Sequence, residues 1–148
     1  MPTTGSPQRE HDIAVLTRLL GRVPRAGFEV VVRNAQGDPA VIRNAPLLDD
    51  GTPMPTRFWL VDPELSLRVA RLESAGGVRA AEAAVDPEAV AAAHRRYARE
   101  RDAALAADHG GPRPSGGVGG TARGVKCLHA HLAYHLAGGR LAPPPAPP

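Results

Sequence analysis

FEVVVRNAQGDPAVIR, residues 28–43, is the stretch that decides the fold, because two strand-like runs flank a single turn in it. Phe28 to Arg33 and Ala40 to Arg43 are rich in β-branched residues, which favour extended backbone. The segment between them contains Asn, Gly, Asp and Pro, the residue types that stabilise turns. The stretch therefore predicts a β-hairpin.

Signals for the other elements lie on both sides of this hairpin. Ser6-Pro7, Asp62-Pro63 and Asp86-Pro87 each place an N-cap residue before a proline that suits the first turn of a helix. A third strand is expected at Arg57 to Val61. Helices are expected from Pro7 to Leu20, from Pro63 to about Ala75, from Pro87 to about Ala107 and from Gly124 to Ala137.

Together these elements predict an α+β fold, with a small antiparallel sheet of about three strands flanked by about four helices. The 148 residues are enough for one domain with its own core, which we place at residues 7–140. Within this domain, residues 108–123 are rich in Gly and Pro and are expected to form a flexible linker. Residues 1–6 and the proline-rich residues 141–148 are expected to be disordered tails.

The composition limits the compartment and the partners. The net charge of +3 is small and the basic residues are scattered, so nucleic acid is not an expected partner. No apolar run approaches the roughly 20 residues of a membrane-spanning helix. The single cysteine excludes an internal disulfide, and the first residues lack the apolar run of a signal peptide. We therefore expect a cytoplasmic protein without a membrane partner.

The third predicted helix is expected to turn one face to solvent. This solvated face is predicted for Arg95, Arg96, Arg99, Glu100 and Arg101.

The last predicted helix contains the side chains that could bind a metal ion or take part in catalysis. Cys127, His131 and His135 are four residues apart, so they share one broad face of that helix. Cys127 and His135 are separated by about 12 Å along the axis, whereas two ligands of one zinc ion lie within a few Å of each other. Only a pair can therefore share an ion, and His131 with His135 has the spacing of helical zinc sites. The alternative is that these histidines are packing residues. The adjoining face is expected to contact the core through Leu128, Leu132 and Leu136.

A second hypothesis makes Cys127 a nucleophile. It lies near a predicted helix start, next to Lys126 and one turn from His131, and such surroundings favour the thiolate. His129 is a further candidate for the same site. The alternative is that Cys127 is a small buried apolar residue.

A third hypothesis concerns anion binding at the same helix start. Residues 119–126 resemble a phosphate loop, but Val125 separates Gly124 from Lys126 and no hydroxyl follows the lysine, so this is not a Walker A motif. Free amides at a helix start, together with Arg123 and Lys126, still form a candidate anion site. The alternative is a linker that leads into a helix.

Three stretches of the chain resemble a known family when they are taken together. The first is residues 45–60, with Asp50-Gly51-Thr52-Pro53-Met54-Pro55-Thr56 and Trp59-Leu60. The second is Arg71-Leu72-Glu73 with Gly76-Gly77, and the third is Gly124-Val125-Lys126-Cys127-Leu128-His129 with Leu136-Ala137-Gly138-Gly139. In this order and spacing they resemble the bacterial family known as domain of unknown function 501, over roughly residues 12–140. The family has no established activity, so the resemblance implies no mechanism.

The resemblance also implies that a metal site of relatives is missing here. Many members of that family have Cys-x-Cys-Gly-x-Pro in the first hairpin and Cys-Pro after the aromatic strand. With the cysteine of the last helix these would provide four thiols for zinc or an iron–sulfur cluster. The corresponding residues here are Asn34, Gln36 and Asp62, which leaves Cys127 alone. We therefore expect no cofactor, and at most a weak variant of such a site.

Two classes of function stay open. One is a non-catalytic housekeeping or interaction domain with a protein partner that the sequence does not identify. The other is an enzyme or a small-anion-binding protein that uses the Lys-Cys-x-His start of the last helix. Whether the protein is an enzyme is therefore not decided by the sequence.

Overall fold

The structure is a computed structural model, and it describes residues 5–138. In chain order the elements are α1 (Pro7–Leu20), β1 (Ala26–Arg33), β2 (Pro39–Leu48), β3 (Phe58–Leu60), α2 (Pro63–Ser74), α3 (Gly77–Ala84), α4 (Pro87–Asp102), a 3₁₀ helix (Val118–Gly120) and α5 (Leu128–Leu136). The α+β fold with a three-stranded antiparallel sheet is confirmed. The expected tails lie almost entirely outside the described residues.

The sheet has the strand order β1-β2-β3, and β1 and β2 are the two arms of the predicted hairpin. In the turn between them, Oδ1 of Asn34 accepts hydrogen bonds from the backbone amides of Gln36 and Asp38, both at 3.0 Å. Gly37 has a φ of 82°, a backbone conformation that favours glycine. The local turn chemistry therefore sets the hairpin as the sequence predicted.

Both faces of this sheet are covered. Val41 and Ile42 are neighbours on β2 and each is fully buried. Because successive side chains on a strand point to opposite faces, a packing layer must lie on each side. Ile42 belongs to a cluster with Leu16 of α1, whereas Val41 belongs to a cluster with Tyr97 of α4 and Tyr134 of α5. The sheet is therefore the middle of three layers.

Three aromatic rings form the centre of the layer that contains α4 and α5. Tyr97 contacts Phe58 at a centroid distance of 5.9 Å and Tyr134 at 5.0 Å, and Phe58 stacks on Tyr134 at 5.6 Å. The Tyr97 hydroxyl accepts hydrogen bonds from the backbone amides of Arg57 at 2.6 Å and Phe58 at 3.2 Å. Burial raises the pKa of Tyr97, so the ring stays neutral. The tyrosine thus fixes α4 to the start of β3.

The opposite layer is fixed by one ion pair between α1 and β1. Asp12 is 3% exposed and accepts two hydrogen bonds from the Arg33 guanidinium, at 2.9 and 2.8 Å. These hydrogen bonds lower the pKa of Asp12. At the start of α1, the Ser6 hydroxyl accepts a hydrogen bond from the backbone amide of Arg9, as expected of an N-cap.

Some element bounds differ from the expectation. The helix α2 ends at Ser74, close to the expected Ala75, and Gly76 follows with a φ of 87°, but the Ala-rich residues after it form the additional helix α3. The helix α4 ends at Asp102 rather than near Ala107, and α5 begins at Leu128 rather than at Gly124. Lys126 and Cys127 therefore lie before the helix and not within it.

The buried face of α5 is not the predicted one. Ala133 and Tyr134 are buried, while Leu136 is 37% exposed and Leu128 and Leu132 are half-buried. Ala133 and Tyr134 belong to the core cluster that contains Phe58 of β3, so this face of the helix packs on the sheet. The prediction of the leucine face is therefore wrong.

Residues 108–123, for which the composition predicts a flexible linker, contribute to the core. Pro114 and Gly117 are buried, and Val118 is fully buried in the cluster around Tyr97. A segment with few apolar side chains can pack in this way only if its backbone polar groups find partners. Two side chains of α4, His94 and Arg101, provide them.

Candidate functional site

The start of α5 is built around one carboxylate of α2. Glu73 accepts a hydrogen bond from the backbone amide of Leu128 at 2.7 Å through Oε2. Its other oxygen, Oε1, lies 2.7 Å from Nδ1 of His129. The first amides of a helix have no partner within the helix, and a carboxylate there also interacts favourably with the helix dipole. Glu73 therefore caps α5 from another helix and holds the candidate residue His129 at the same time.

The Glu73 carboxylate lies at the helix start where an anion site was predicted. The side chains of Arg123 and Lys126 are exposed and lie just before α5. The Leu128 amide, which an external anion would use, is already occupied by the carboxylate of Glu73. An anion at this point would have to compete with a negative charge of the chain itself. The anion site with Arg123 and Lys126 stays a prediction.

Cys127 occupies the N-cap position of α5 and is half-buried. Its Sγ lies beside Gly119, since a Cβ built on that glycine would be 3.7 Å from the sulfur. The Lys126 side chain is exposed, and His129 pairs with Glu73. The Lys-Cys-x-His sequence thus gives each of its three side chains a different environment.

His94 of α4 connects two parts of the segment before α5. His94 is 3% exposed. Its Nδ1 accepts a hydrogen bond from the backbone amide of Val118 at 3.0 Å, and its Nε2 lies 2.7 Å from the carbonyl oxygen of Gly124. Nε2 must donate to that carbonyl, so this network assigns the neutral tautomer with the proton on Nε2. A Cβ on Gly117 would lie 2.6 Å from Cβ of His94, which explains why the chain needs a glycine at this close approach.

His131 of α5 packs against this ring. The two imidazoles meet edge to face with centroids 5.7 Å apart. Nε2 of His131 is buried and has no hydrogen-bond partner among the residues that the structure describes. Burial, and to a lesser degree the nearby His94, lowers the pKa of His131. Both histidines are therefore neutral parts of the α4–α5 contact.

The site lies within a stretch that matches a known family. Residues 30–144 match the family described as Protein of unknown function (DUF501). The chain belongs to this family. The resemblance predicted from the sequence is thereby confirmed, and the matched range contains Glu73, His94 and all of α5. Neither the curated proteins nor the solved structures provide a match to the chain.

The cysteine positions predicted for DUF501 relatives are brought together only in part. Asn34 donates to Oδ1 of Asp62 at 2.9 Å, so these two positions meet at the start of α2. Asp62 also caps α2 by accepting the amide of Leu65. Cys127 precedes Leu128, whose amide contacts Glu73 near the other end of this helix. Asp62 and Glu73 are about 16 Å apart along the helix axis, since eleven residues rise about 1.5 Å each. Within residues 5–138 of this DUF501 protein, Asp62 and Cys127 belong to no group of three or more His, Cys, Asp or Glu side chains that could hold a metal ion.

The histidine pair predicted as a weak metal site, His131 and His135, has no third metal-binding side chain beside it among the residues that the structure describes. His131 faces His94, and His135 is exposed in the last turn of α5. Within residues 5–138 no group of three or more His, Cys, Asp or Glu side chains is placed to hold a metal ion. The metal-site hypothesis thus gains no support from the described part of this DUF501 protein.

Arg101 of α4 is the residue that sequence reasoning missed. It is 1% exposed, so its assignment to a solvated face is wrong. Its guanidinium donates to the carbonyl oxygens of Pro55 at 3.1 Å, Ser115 at 3.3 Å and Gly116 at 2.9 Å. A signal was present, because His94 and Tyr97 precede Arg101 by seven and four residues, the spacing of one helix face.

In the described part of this DUF501 protein, no helix has the length and apolar character needed to cross a membrane.

Proposed function

We propose that the protein is a non-catalytic interaction domain that binds an acidic, partly apolar segment of a partner protein through the outward face of α2. The observation that carries this proposal is the exposure of two leucines on that face. Leu67 is 53% and Leu72 is 58% exposed. A single exposed leucine is ordinary, but two exposed leucines on the outward side of one helix give a partner two apolar points of contact.

The geometry of α2 places two arginines beside these leucines. Leu67 and Arg71 are four residues apart, as are Arg68 and Leu72, so the four side chains share one side of the helix. All four are exposed, whereas Val69 is buried on the inner side. We name the surface formed by Leu67, Arg68, Arg71 and Leu72 the α2 face.

The charge of the α2 face indicates the chemistry of the partner. Neither Arg68 nor Arg71 forms an ion pair with a carboxylate within residues 5–138. Arginine is enriched at protein interfaces because its guanidinium forms paired hydrogen bonds with carboxylates and its stem packs on apolar groups. A partner segment that presents Asp or Glu beside apolar side chains would complement both components of this face.

We further propose that this interaction takes place in the bacterial cytoplasm as a housekeeping function. Support for the compartment comes from the single cysteine, which is typical of proteins that fold without disulfides. The single-chain fold is small, and a domain of this size with an exposed helix face is well suited to act as one module of a larger assembly.

Photo-crosslinking in living cells tests the proposal. A benzoylphenylalanine residue replaces Leu67, and a matched control places it at the exposed Arg79 of α3. We expect crosslinking from position 67 to a protein whose crosslinked peptide, identified by mass spectrometry, contains acidic and apolar residues. We expect the purified partner to lose about tenfold or more in affinity for Leu67→Ser/Leu72→Ser and for Arg68→Glu/Arg71→Glu, since interface anchors of this kind dominate binding energies.

Val85→Ser is the control variant for the binding measurement, because Val85 is 42% exposed but lies outside the α2 face. Its affinity should equal that of the unchanged protein. Three results contradict the proposal: crosslinking only to a second copy of this chain, a captured peptide without acidic residues, or an affinity that the α2 variants leave unchanged.

A further inference from the structure

A cleft of about 250 Å³ lies between the end of α1, the connector at residues 21–25 and the sheet. Its apolar wall is formed by Leu20, Leu48, Met54 and Trp59. All four side chains are half-buried, so each is packed on one side and open to the cleft or to solvent on the other. Apolar surface of this kind favours a ligand that removes it from water.

The rim of the cleft is cationic. Arg22 and Arg25 line it, both are exposed, and neither forms an ion pair with the described carboxylates. The neighbouring acid Asp50 is engaged in its own turn, where its side chain accepts the amide of Thr52 at 2.9 Å. That hydrogen bond is the main reason why the pKa of Asp50 is lowered, and the charge of Arg25 adds to it. The two guanidinium groups therefore keep donors available for a ligand.

One buried amide gives the cleft a fixed polar point. Asn44 of β2 lines it and is only 2% exposed. Its Nδ2 donates to the carbonyl oxygen of Thr56 at 3.1 Å, which holds the side chain in one orientation. A small number of positioned polar groups in a mostly apolar wall is the usual composition of small-molecule sites.

We infer that this cleft binds a small organic anion with a compact apolar body and one carboxylate or phosphate group. The apolar body would cover Trp59 and the aliphatic side chains, and the anionic group would accept hydrogen bonds from Arg22 and Arg25. The volume lies below the range of about 300–1,000 Å³ that holds drug-sized ligands, so the ligand is small. This site is separate from the α2 face.

Trp59 is the only tryptophan of the chain, so its fluorescence reports binding at the cleft directly. The probes are cyclohexanecarboxylate, cyclohexyl phosphate, the neutral cyclohexanecarboxamide and inorganic phosphate, each titrated into the full chain. We expect a saturable change with one or both organic anions and weaker binding by about tenfold or more for the amide, because hydrogen bonds to charged groups are the stronger ones. The better of the two anions shows which anionic group the site prefers.

The variant Arg22→Gln/Arg25→Gln should lose about tenfold or more in affinity for the organic anion while unfolding at the same temperature. Arg79→Gln/Arg113→Gln removes the same charge from two exposed positions outside the cleft and the α2 face, and it should leave the affinity unchanged. Equal binding of the carboxylate and the amide, equal binding of inorganic phosphate and cyclohexyl phosphate, unchanged affinity in the cleft variant, or no saturable change would each overturn the inference.

Discussion

The carboxylate of Glu73 and the backbone amide of Leu128 lie 2.7 Å apart, so the end of α2 caps the start of α5. The two residues are 55 positions apart in the chain. The same carboxylate pairs with His129, which means that the residues predicted for chemistry are positioned by a helix other than their own. Stability and the geometry of this site are therefore coupled through one side chain.

We expect Glu73→Ala to lower the free energy of unfolding by about 1–2 kcal/mol, the usual effect of losing a helix cap. Glu73→Gln should lose less, because its amide oxygen can still accept the Leu128 amide. Urea unfolding followed by circular dichroism measures both. Glu64→Ala is the control, since Glu64 is an exposed glutamate of the same helix. Equal effects of Glu73→Ala and Glu64→Ala would contradict the capping role.

Replacing the buried Arg101 should be more costly. Arg101→Met keeps the volume but leaves the carbonyl oxygens of Pro55, Ser115 and Gly116 without their donor. Because a hydrogen bond from a charged group contributes about 1.5–3 kcal/mol and this variant removes several of them, we expect a loss of about 3 kcal/mol or more in the free energy of unfolding. Arg99→Met, at an exposed position of the same helix, should change it by less than about 0.5 kcal/mol. Similar values for the two variants would show that these hydrogen bonds do not stabilise the segment before α5.

The pH dependence of stability should contain a contribution from His131. Its pKa is lowered in the folded protein by burial, whereas the unfolded chain has the ordinary value of about 6.5. The unfolded state therefore binds a proton more readily, and stability falls as the pH decreases through about 6.5. His131→Leu removes this linkage, together with an Nε2 that has no hydrogen-bond partner within residues 5–138. The stability of this variant should therefore fall less between pH 7.5 and 5.5, a range of about two units around that value.

The matched control for this measurement is His135→Leu, which changes an exposed histidine of the same helix. Thermal unfolding at several pH values gives the comparison. If the profile of His131→Leu coincides with that of the unchanged protein, the buried imidazole does not contribute to acid sensitivity.

The thiol of Cys127 provides a test of the enzyme hypothesis. Because the side chain is half-buried beside Gly119, we expect iodoacetamide to label the folded protein more slowly than the urea-unfolded chain. Mass spectrometry of the time course measures both rates. Lys126→Gln should leave the slow rate unchanged if the lysine does not activate the thiol. Faster labelling of the folded protein, reduced by Lys126→Gln, would instead favour a reactive cysteine and the alternative function.

The elements themselves were predictable because their signals are local. Asn34 and Gly37 set the hairpin turn, and Asp62 caps the helix that follows it. Such interactions act within a few residues, so the sequence pattern contains both partners. The family resemblance was likewise predictable, because it depends on short motifs in a fixed order.

The candidate site at the start of the last helix stays a prediction, and the sequence did not show how its residues are arranged. The sequence indicated the start of the last helix, but it could not show that Glu73 caps this helix or that His94 pairs with Val118 and Gly124. It also assigned Arg101 to solvent, because an arginine is usually an exposed residue. In the structure the guanidinium is buried, since the carbonyl oxygens of a glycine-rich segment surround it and provide its hydrogen bonds.

By itself, therefore, the sequence determined the α+β class, the hairpin, the helix starts and the family. Only the tertiary structure decided which face of α5 is buried, how residues 108–123 enter the core and which leucines of α2 remain outside. The physical reason is the range of the forces involved. Caps and turns are satisfied by neighbours in the chain, whereas burial and the pairing of buried polar groups depend on residues that meet only when the chain folds.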